Sequence, residues 1–207
     1  LYCSDVNVGD GDNTVSIFAE SQKGEAWGIG CEVTSGSGND KIDVTAKTSG
    51  TATAFGIYCS TVNAGGGHNA VTLTAESAGG AAYAMHGGKV ITGAGNDTVT
   101  VAAIAAGRAQ GLYCSDIKVG DGDNVVSISA ESQKGEAWGI GCEVTAGNGN
   151  DIISVTAKTA GSATAFGVAS STVNAGAGHN NITIAAESAG GAAYAMHGGK
   201  VITGSGN

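Results

Sequence analysis

The residues able to do chemistry sit in a few recurring slots. Carboxylates gather in glycine turns, at Asp10 and Asp12, then Asp40, then Asp97, Asp121 and Asp123, then Asp151. Clustered hard oxygens suit a cation such as calcium, which takes six to eight of them. Asp10, Asp12 and Asp40 form one candidate metal group, and Asp97, Asp121, Asp123 and Asp151 a second. A metal-free polar turn is the other reading, because the slot after each turn alternates Asn13, Asp40, Asn69, Asp97, Asn124, Asp151 and Asn180. Such alternation keeps carboxylates from stacking on one another, and asparagine ladders hydrogen-bond among themselves.

The remaining reactive types are sparser. Cysteines fall in one slot, at Cys3, Cys31, Cys59, Cys114 and Cys142, which holds Gly87, Ser170 and Gly198 elsewhere. No close CxxC pair suggests zinc. Stacked neighbours would be near enough for a disulfide. However, five is an odd count and the slot accepts glycine and serine, so reduced, buried small residues are expected. His68, His86, His179 and His197 recur in pairs 111 residues apart. Every nucleophile, histidine and acid that could form a catalytic set is duplicated in this way, whereas catalysis needs groups in different environments. The chain therefore reads as no enzyme.

The elements that position these residues follow from a repeat. Glycine pairs recur at Gly9/Gly11, Gly36/Gly38, Gly65/Gly67, Gly93/Gly95, Gly120/Gly122, Gly147/Gly149, Gly176/Gly178 and Gly204/Gly206, every 27–29 residues. Four such units make a super-repeat of 111 residues, and 112–207 nearly copies 1–96. Between glycine turns the apolar residues alternate, the sign of strands. A unit of this size buries its apolar face only by stacking on copies of itself. The fold expected is all-β: one continuous parallel β-solenoid over 1–207, with one rung per unit, about seven rungs, and about 35 Å of rod at the ~4.8 Å spacing of paired strands.

Stacking turns sequence slots into ladders. Glu20, Lys47, Glu76, Ile104, Glu131, Lys158 and Glu187 form one that alternates in sign, as in-register stacking favours. Val15, Ile17 and Ala19 share one parity and are assigned to the core, as are Trp27, Ile29, Cys31 and Val33. The aromatic slot Trp27, Phe55, Tyr83, Gln110, Trp138, Phe166 and Tyr194 would then pack inside. Turning it outward, as a ladder for sugars, requires the strand to change parity at Gly28. The opposite parity, with Ala26, Gly28, Ala54, Gly56, Ala82, Ala84, Ala109 and Gly111, would be a flat outer face open to another sheet.

The turns resemble the haemolysin-type, or RTX, calcium-binding repeat, G-G-x-G-x-D-x-U-x with U a large apolar residue. Gly93-Ala94-Gly95-Asn96-Asp97-Thr98-Val99 matches from the second glycine onward, as do 36–42 and 147–153. The long repeat is also similar to those of giant secreted or surface proteins of marine bacteria and cyanobacteria. The resemblance implies calcium as cofactor, held between turns by the aspartates and backbone carbonyls, and an extracellular or cell-surface location.

Composition narrows the partners. The net charge of −9, without a basic run, makes nucleic acid and anionic membrane poor partners, and no apolar stretch is long enough to span a membrane. The leading expectation is a structural or adhesive extracellular repeat protein: a rod, fibre or surface-layer element. The alternative is a ligand-binding solenoid that takes surface polysaccharide through the aromatic slot or ice through outward Thr72, Thr98 and Thr100. The first residue, Leu1, reads as that of a mature product or an internal piece. The 222 residues of two full super-repeats exceed 207 by 15, as expected of a cut from a longer array. Self-association, end to end or lateral, is the expected partnership.

Overall fold

The computed structural model describes residues 4–206. All its elements are β-strands. Each rung has three straight segments. The longest has eight residues and builds a seven-stranded parallel sheet from Thr14–Ser21, Lys41–Thr48, Ala70–Ser77, Thr98–Ala105, Val125–Ser132, Ile152–Thr159 and Asn181–Ser188. The two shorter segments, such as Ala54–Tyr58 and Thr61–Asn63, belong to a second parallel sheet. In two rungs they fuse into single strands, Ala109–Lys118 and Ala137–Thr145. This is the parallel β-solenoid expected from the period.

Register follows the repeat. Across the long sheet all eight residues pair position by position, so Glu20 faces Lys47 and Lys47 faces Glu76. Pairing is equally complete between Thr98–Ala105 and Val125–Ser132, where one super-repeat passes into the next. Lys47 Nζ lies 3.3 Å from Glu76 and Lys158 Nζ 3.2 Å from Glu187. A one-residue slip would turn every core side chain to the opposite face, so the apolar pattern and the charge ladder select the same register.

The core is thin and uniform. Long strands contribute Ile42, Val44 and Ala46 and their counterparts, such as Val71, Leu73 and Ala75. Short segments oppose them with Ala54, Ile57 and Val62, then Ala82, Met85 and Val90. Branched aliphatics suit the pleated strand and pack against equals in the adjoining rung.

One strand departs from the expected parity. Ala26, Gly28 and Ile29 are buried and Trp27 is not. At Gly28 an added Cβ would lie 2.5 Å from both the Gly56 carbonyl oxygen and a Val44 methyl. Two successive residues, Gly28 and Ile29, face inward, and Ala84 and Met85 do the same in a rung with alanine at that position. The aromatic slot therefore points away from the core, contrary to the core assignment, although Phe55 and Gln110 are themselves buried there by their neighbours. The alanine–glycine set assigned to an open face is inside instead, with Ala26, Ala54, Ala82, Ala84 and Ala109 all buried.

Candidate functional site

The glycine turns carry the densest set of polar groups, and their ordering is explicit. In the outer slot each side chain accepts a hydrogen bond from the backbone N–H one rung on. Asn39 N–H donates to Asp12, His68 N–H to Asn39, and Asn96 N–H to His68 Nδ1, at 2.7, 2.8 and 2.8 Å. Asp123 N–H donates to Asn96, Asn150 N–H to Asp123, and His179 N–H to Asn150. His68 thus takes an asparagine's place, using ring Nδ1 as the acceptor.

The inner slot runs in the other direction. Asn13 N–H donates to Asp40 Oδ1, Asp40 N–H to Asn69, and Asn69 N–H to Asp97 Oδ1, at 2.9, 3.0 and 2.8 Å. Asp97 N–H then donates to Asn124, Asn124 N–H to Asp151 Oδ1, and Asp151 N–H to Asn180. Every rung junction within this span is bridged twice. Asp10 and Asp121 add a third bridge where they occur, accepting from the N–H groups of Ser37 and Asn148.

The inner ladder treats its two residue types differently. Asn13 Nδ2 donates to the carbonyls of Gly9 and Gly11, Asn69 to Gly65 and Gly67, Asn124 to Gly120 and Gly122, and Asn180 to Gly176 and Gly178. In the intervening rungs Asp40, Asp97 and Asp151 use Oδ1 as those asparagines do. Their Oδ2 then takes the place of the amide nitrogen, yet it has no hydrogen to give. Asp40, Asp97 and Asp151 are 2%, 1% and 1% exposed, and in each Oδ2 is buried without a hydrogen-bond partner. A buried carboxylate oxygen without a partner is unfavourable unless it carries a proton or meets a cation. Burial, the largest cause, raises the Asp97 carboxyl above its ordinary value, opposed by the nearby Thr92 hydroxyl and by Asn69, whose N–H donates to Oδ1. Burial likewise raises Asp151, against the Asn124 hydrogen bonds and with Asp123 and Asp121 adding to the rise.

The seven acids proposed as metal ligands thus divide. Asp10, Asp12, Asp121 and Asp123 are exposed, while Asp40, Asp97 and Asp151 point inward. Successive turn positions face opposite ways, so Asp12 and Asp40 do not converge. Among the described residues no three histidine, cysteine, aspartate or glutamate side chains come together as a metal group. Each inward aspartate keeps one buried oxygen without a hydrogen-bond partner, and calcium takes six to eight oxygens.

The outward aromatic slot forms the second candidate surface. Phe55 stacks on Tyr83 at 5.4 Å and Phe166 on Tyr194 at 5.6 Å, nearly parallel. Trp27 and Trp138 tilt onto Phe55 and Phe166. Sequence reading missed a parallel ladder beside it. Tyr58 stacks on His86 at 5.0 Å, and His86 packs on Tyr113 at 4.9 Å. The two ladders interlock edge to face through Phe55–Tyr58, Phe55–His86 and Tyr83–His86. Tyr58, His86 and Tyr113 each lie three residues after an aromatic-slot position; that offset was the available signal. Burial among the rings pulls His86 below the ordinary imidazole value.

Comparison with protein-family models, with curated proteins and with solved structures returns no match. Function therefore has to be argued from the geometry of the chain itself.

The cysteine slot also departs from expectation. It lies at a corner between the two short segments, and its thiols are not buried: Cys59 and Cys114 are exposed, Cys31 and Cys142 half-buried. Cys59, Cys114 and Ser170 have φ of 48°, 47° and 49°, and Gly87 has 65°. At these positions, though not at Cys31 and Cys142, whose φ is not positive, the left-handed corner turns the side chain away from the core. It also explains the glycines, which adopt positive φ without steric cost. Cys3 lies outside the described residues.

Proposed function

We propose that this chain is a structural repeat segment, a rigid rod acting at the cell surface or in an extracellular fibre, whose principal partner is another copy of itself. One observation carries the reading: the paired turn ladders and the sheet register pass from one super-repeat into the next unchanged. Asp97 N–H to Asn124, and Thr98–Ala105 on Val125–Ser132, repeat the bonding found within each unit. Such a lattice extends by adding units, with stability set by each rung and its two neighbours.

Polysaccharide binding has one point in favour, the outward aromatic slot. Against it, sugars stack on free ring faces, and here those faces are packed against neighbouring rings. The outward threonines Thr72, Thr98 and Thr100, offered for ice, share their face with Lys41, Asp43 and Phe18. Two charges and a protruding ring interrupt the flat array that ice recognition would use.

The experiment is a length series of one, two and four 111-residue units. The expected result is a particle of constant cross-section in small-angle scattering, longer by about 19 Å per four-rung unit at ~4.8 Å per rung. Melting temperature should climb with unit number and level off. A globule whose radius grows in all directions would overturn the reading, as would specific saturable binding to a polysaccharide that an aromatic-slot variant abolishes.

A further inference from the structure

The cysteine corner carries chemistry that a purely structural rod does not need. Three observations place two thiols together. First, the left-handed corner directs its side chain along the rod toward the next rung: a Cβ added at Gly87 would lie 3.2 Å from Cys59 Sγ, and one at Gly198 would lie 3.5 Å from Ser170 Oγ. A sulfur and the Cβ across a disulfide are about 3 Å apart, given an S–S bond of ~2.05 Å. Second, Cys114 occupies this corner at φ 47°, and the slot of the next rung holds Cys142. The strands on either side are paired, Tyr113 with Gly141 and Asp116 with Glu143, with Cys114 and Ser115 bulging opposite Cys142. Strands in that relation keep Cα atoms within the range a disulfide spans. Third, the Cys142 thiol receives a hydrogen bond from the Ser115 backbone N–H and interacts directly with the Cys114 side chain. The first super-repeat repeats the contact, with Ser4 N–H donating to Cys31 Sγ at 2.8 Å.

We propose that Cys114 and Cys142 form a reversible disulfide between consecutive rungs when the protein meets a small-molecule disulfide such as oxidised glutathione. The exposed Cys114 reacts first. Its thiolate, having released a proton to water, attacks one sulfur of glutathione disulfide; a Cys114–glutathione bond forms and one glutathione thiolate leaves. Cys142, half-buried against it, then loses its proton and attacks the Cys114 sulfur. The Cys114–Cys142 bond forms and the second glutathione thiolate leaves. Two protein thiols are oxidised and one glutathione disulfide is reduced to two thiols. Burial, with the neighbouring Cys114, raises the Cys142 thiol, which keeps it protonated and leaves the first attack to the exposed Cys114.

Cys59 is the internal control. It leans toward Gly87, which has no sulfur, so it can take up glutathione but has no protein thiol beside it to displace the adduct. The test uses the full chain carrying Cys3→Ser and Cys31→Ser, which leaves Cys59, Cys114 and Cys142. Serine already occupies this slot at Ser170, so these changes suit the fold, and circular dichroism confirms it. The protein is equilibrated with reduced and oxidised glutathione, alkylated and mapped by mass spectrometry without reduction. The expected result is a 114–142 linked peptide in a single chain and free of glutathione, with Cys59 recovered alkylated or carrying glutathione and in no protein disulfide. With Cys142→Ser added, the reaction should stop at glutathione on Cys114. Separate glutathione adducts on Cys114 and Cys142 overturn the proposal. So do a protein disulfide involving Cys59, a link between two chains, or three thiols surviving an oxidising buffer.

Discussion

Replacing Asp97 with asparagine should stabilise the protein at neutral pH. Oδ1 of Asp97 accepts the Asn69 N–H at 2.8 Å, and an asparagine oxygen would do the same. The gain lies on the other branch. Oδ2 is buried and unpartnered, whereas an amide there would donate to the Gly93 and Gly95 carbonyls, as Asn124 Nδ2 donates to those of Gly120 and Gly122 at 3.0 and 2.9 Å. Relieving a buried unsatisfied acceptor is worth about 1–3 kcal/mol, and each new hydrogen bond about 1 kcal/mol. Allowing for overlap, the expected gain is about 2–4 kcal/mol. At ~2–4 °C per kcal/mol for a chain of this size, the melting temperature should rise by about 4–16 °C.

The pH dependence supplies the sharper check. Burial holds the folded Asp97 carboxyl above its unfolded value. A group raised in this way contributes its stability in full below the unfolded value, near pH 4, and loses it as pH rises through the folded one. A protonated Asp97 can itself donate from Oδ2, so the advantage of asparagine should be small below pH 4 and complete at neutrality. Asp10 has the opposite sign, its carboxyl held low by the Ser37 N–H and hydroxyl, but it is common to both proteins and cancels in the difference. The assay is thermal unfolding of Asp97→Asn against the parent between pH 3.5 and 7.5. A variant no more stable than the parent at pH 7 would falsify the account of Oδ2, and a pH-independent gain would remove the proton from it.

Melting curves in EDTA and in millimolar calcium should superimpose, because no three acidic side chains converge among the described residues; a rise of several degrees with calcium, as mass action requires of a ligand of the folded state, would show a complete cage. Lys47→Glu should destabilise by about 1 kcal/mol at low salt, since it places like charges between Glu20 and Glu76 on an exposed edge. At 1 M salt, with screening near ~3 Å, most of that loss should vanish, and denaturant midpoints at both ionic strengths test it. Gly87→Cys should pair with Cys59 under oxidised glutathione. Its reduced form should unfold more easily by about 1 kcal/mol, the cost of a side chain in the left-handed region. Failure to cross-link in a folded variant would refute the direction assigned to the Cys59 side chain.

The sequence by itself determined the period, the parallel stacking, the register and the charge ladder. In a stacked repeat each residue's neighbours above and below are the same slot of adjoining rungs. Spacing is then contact, and Glu20, Lys47 and Glu76 had only one way to lie. The mixed Asn/Asp slot was equally legible as a ladder. Tertiary structure decided which way side chains point wherever a rung bends. Strict alternation put Trp27 in the core, but two successive residues, Gly28 and Ile29, face inward, so the ring emerges beside Phe55 and Tyr58. The cysteine slot read as buried because its small residues suit a core; a left-handed corner carries Cys59 and Cys114 outward instead. The acids gathered in the turns looked like ligands for one ion, yet successive turn positions face opposite sides, leaving Asp97 alone inside with an oxygen where its neighbours have an amide. Spacing along a chain fixes which rung neighbours meet; backbone conformation fixes the direction in which they meet.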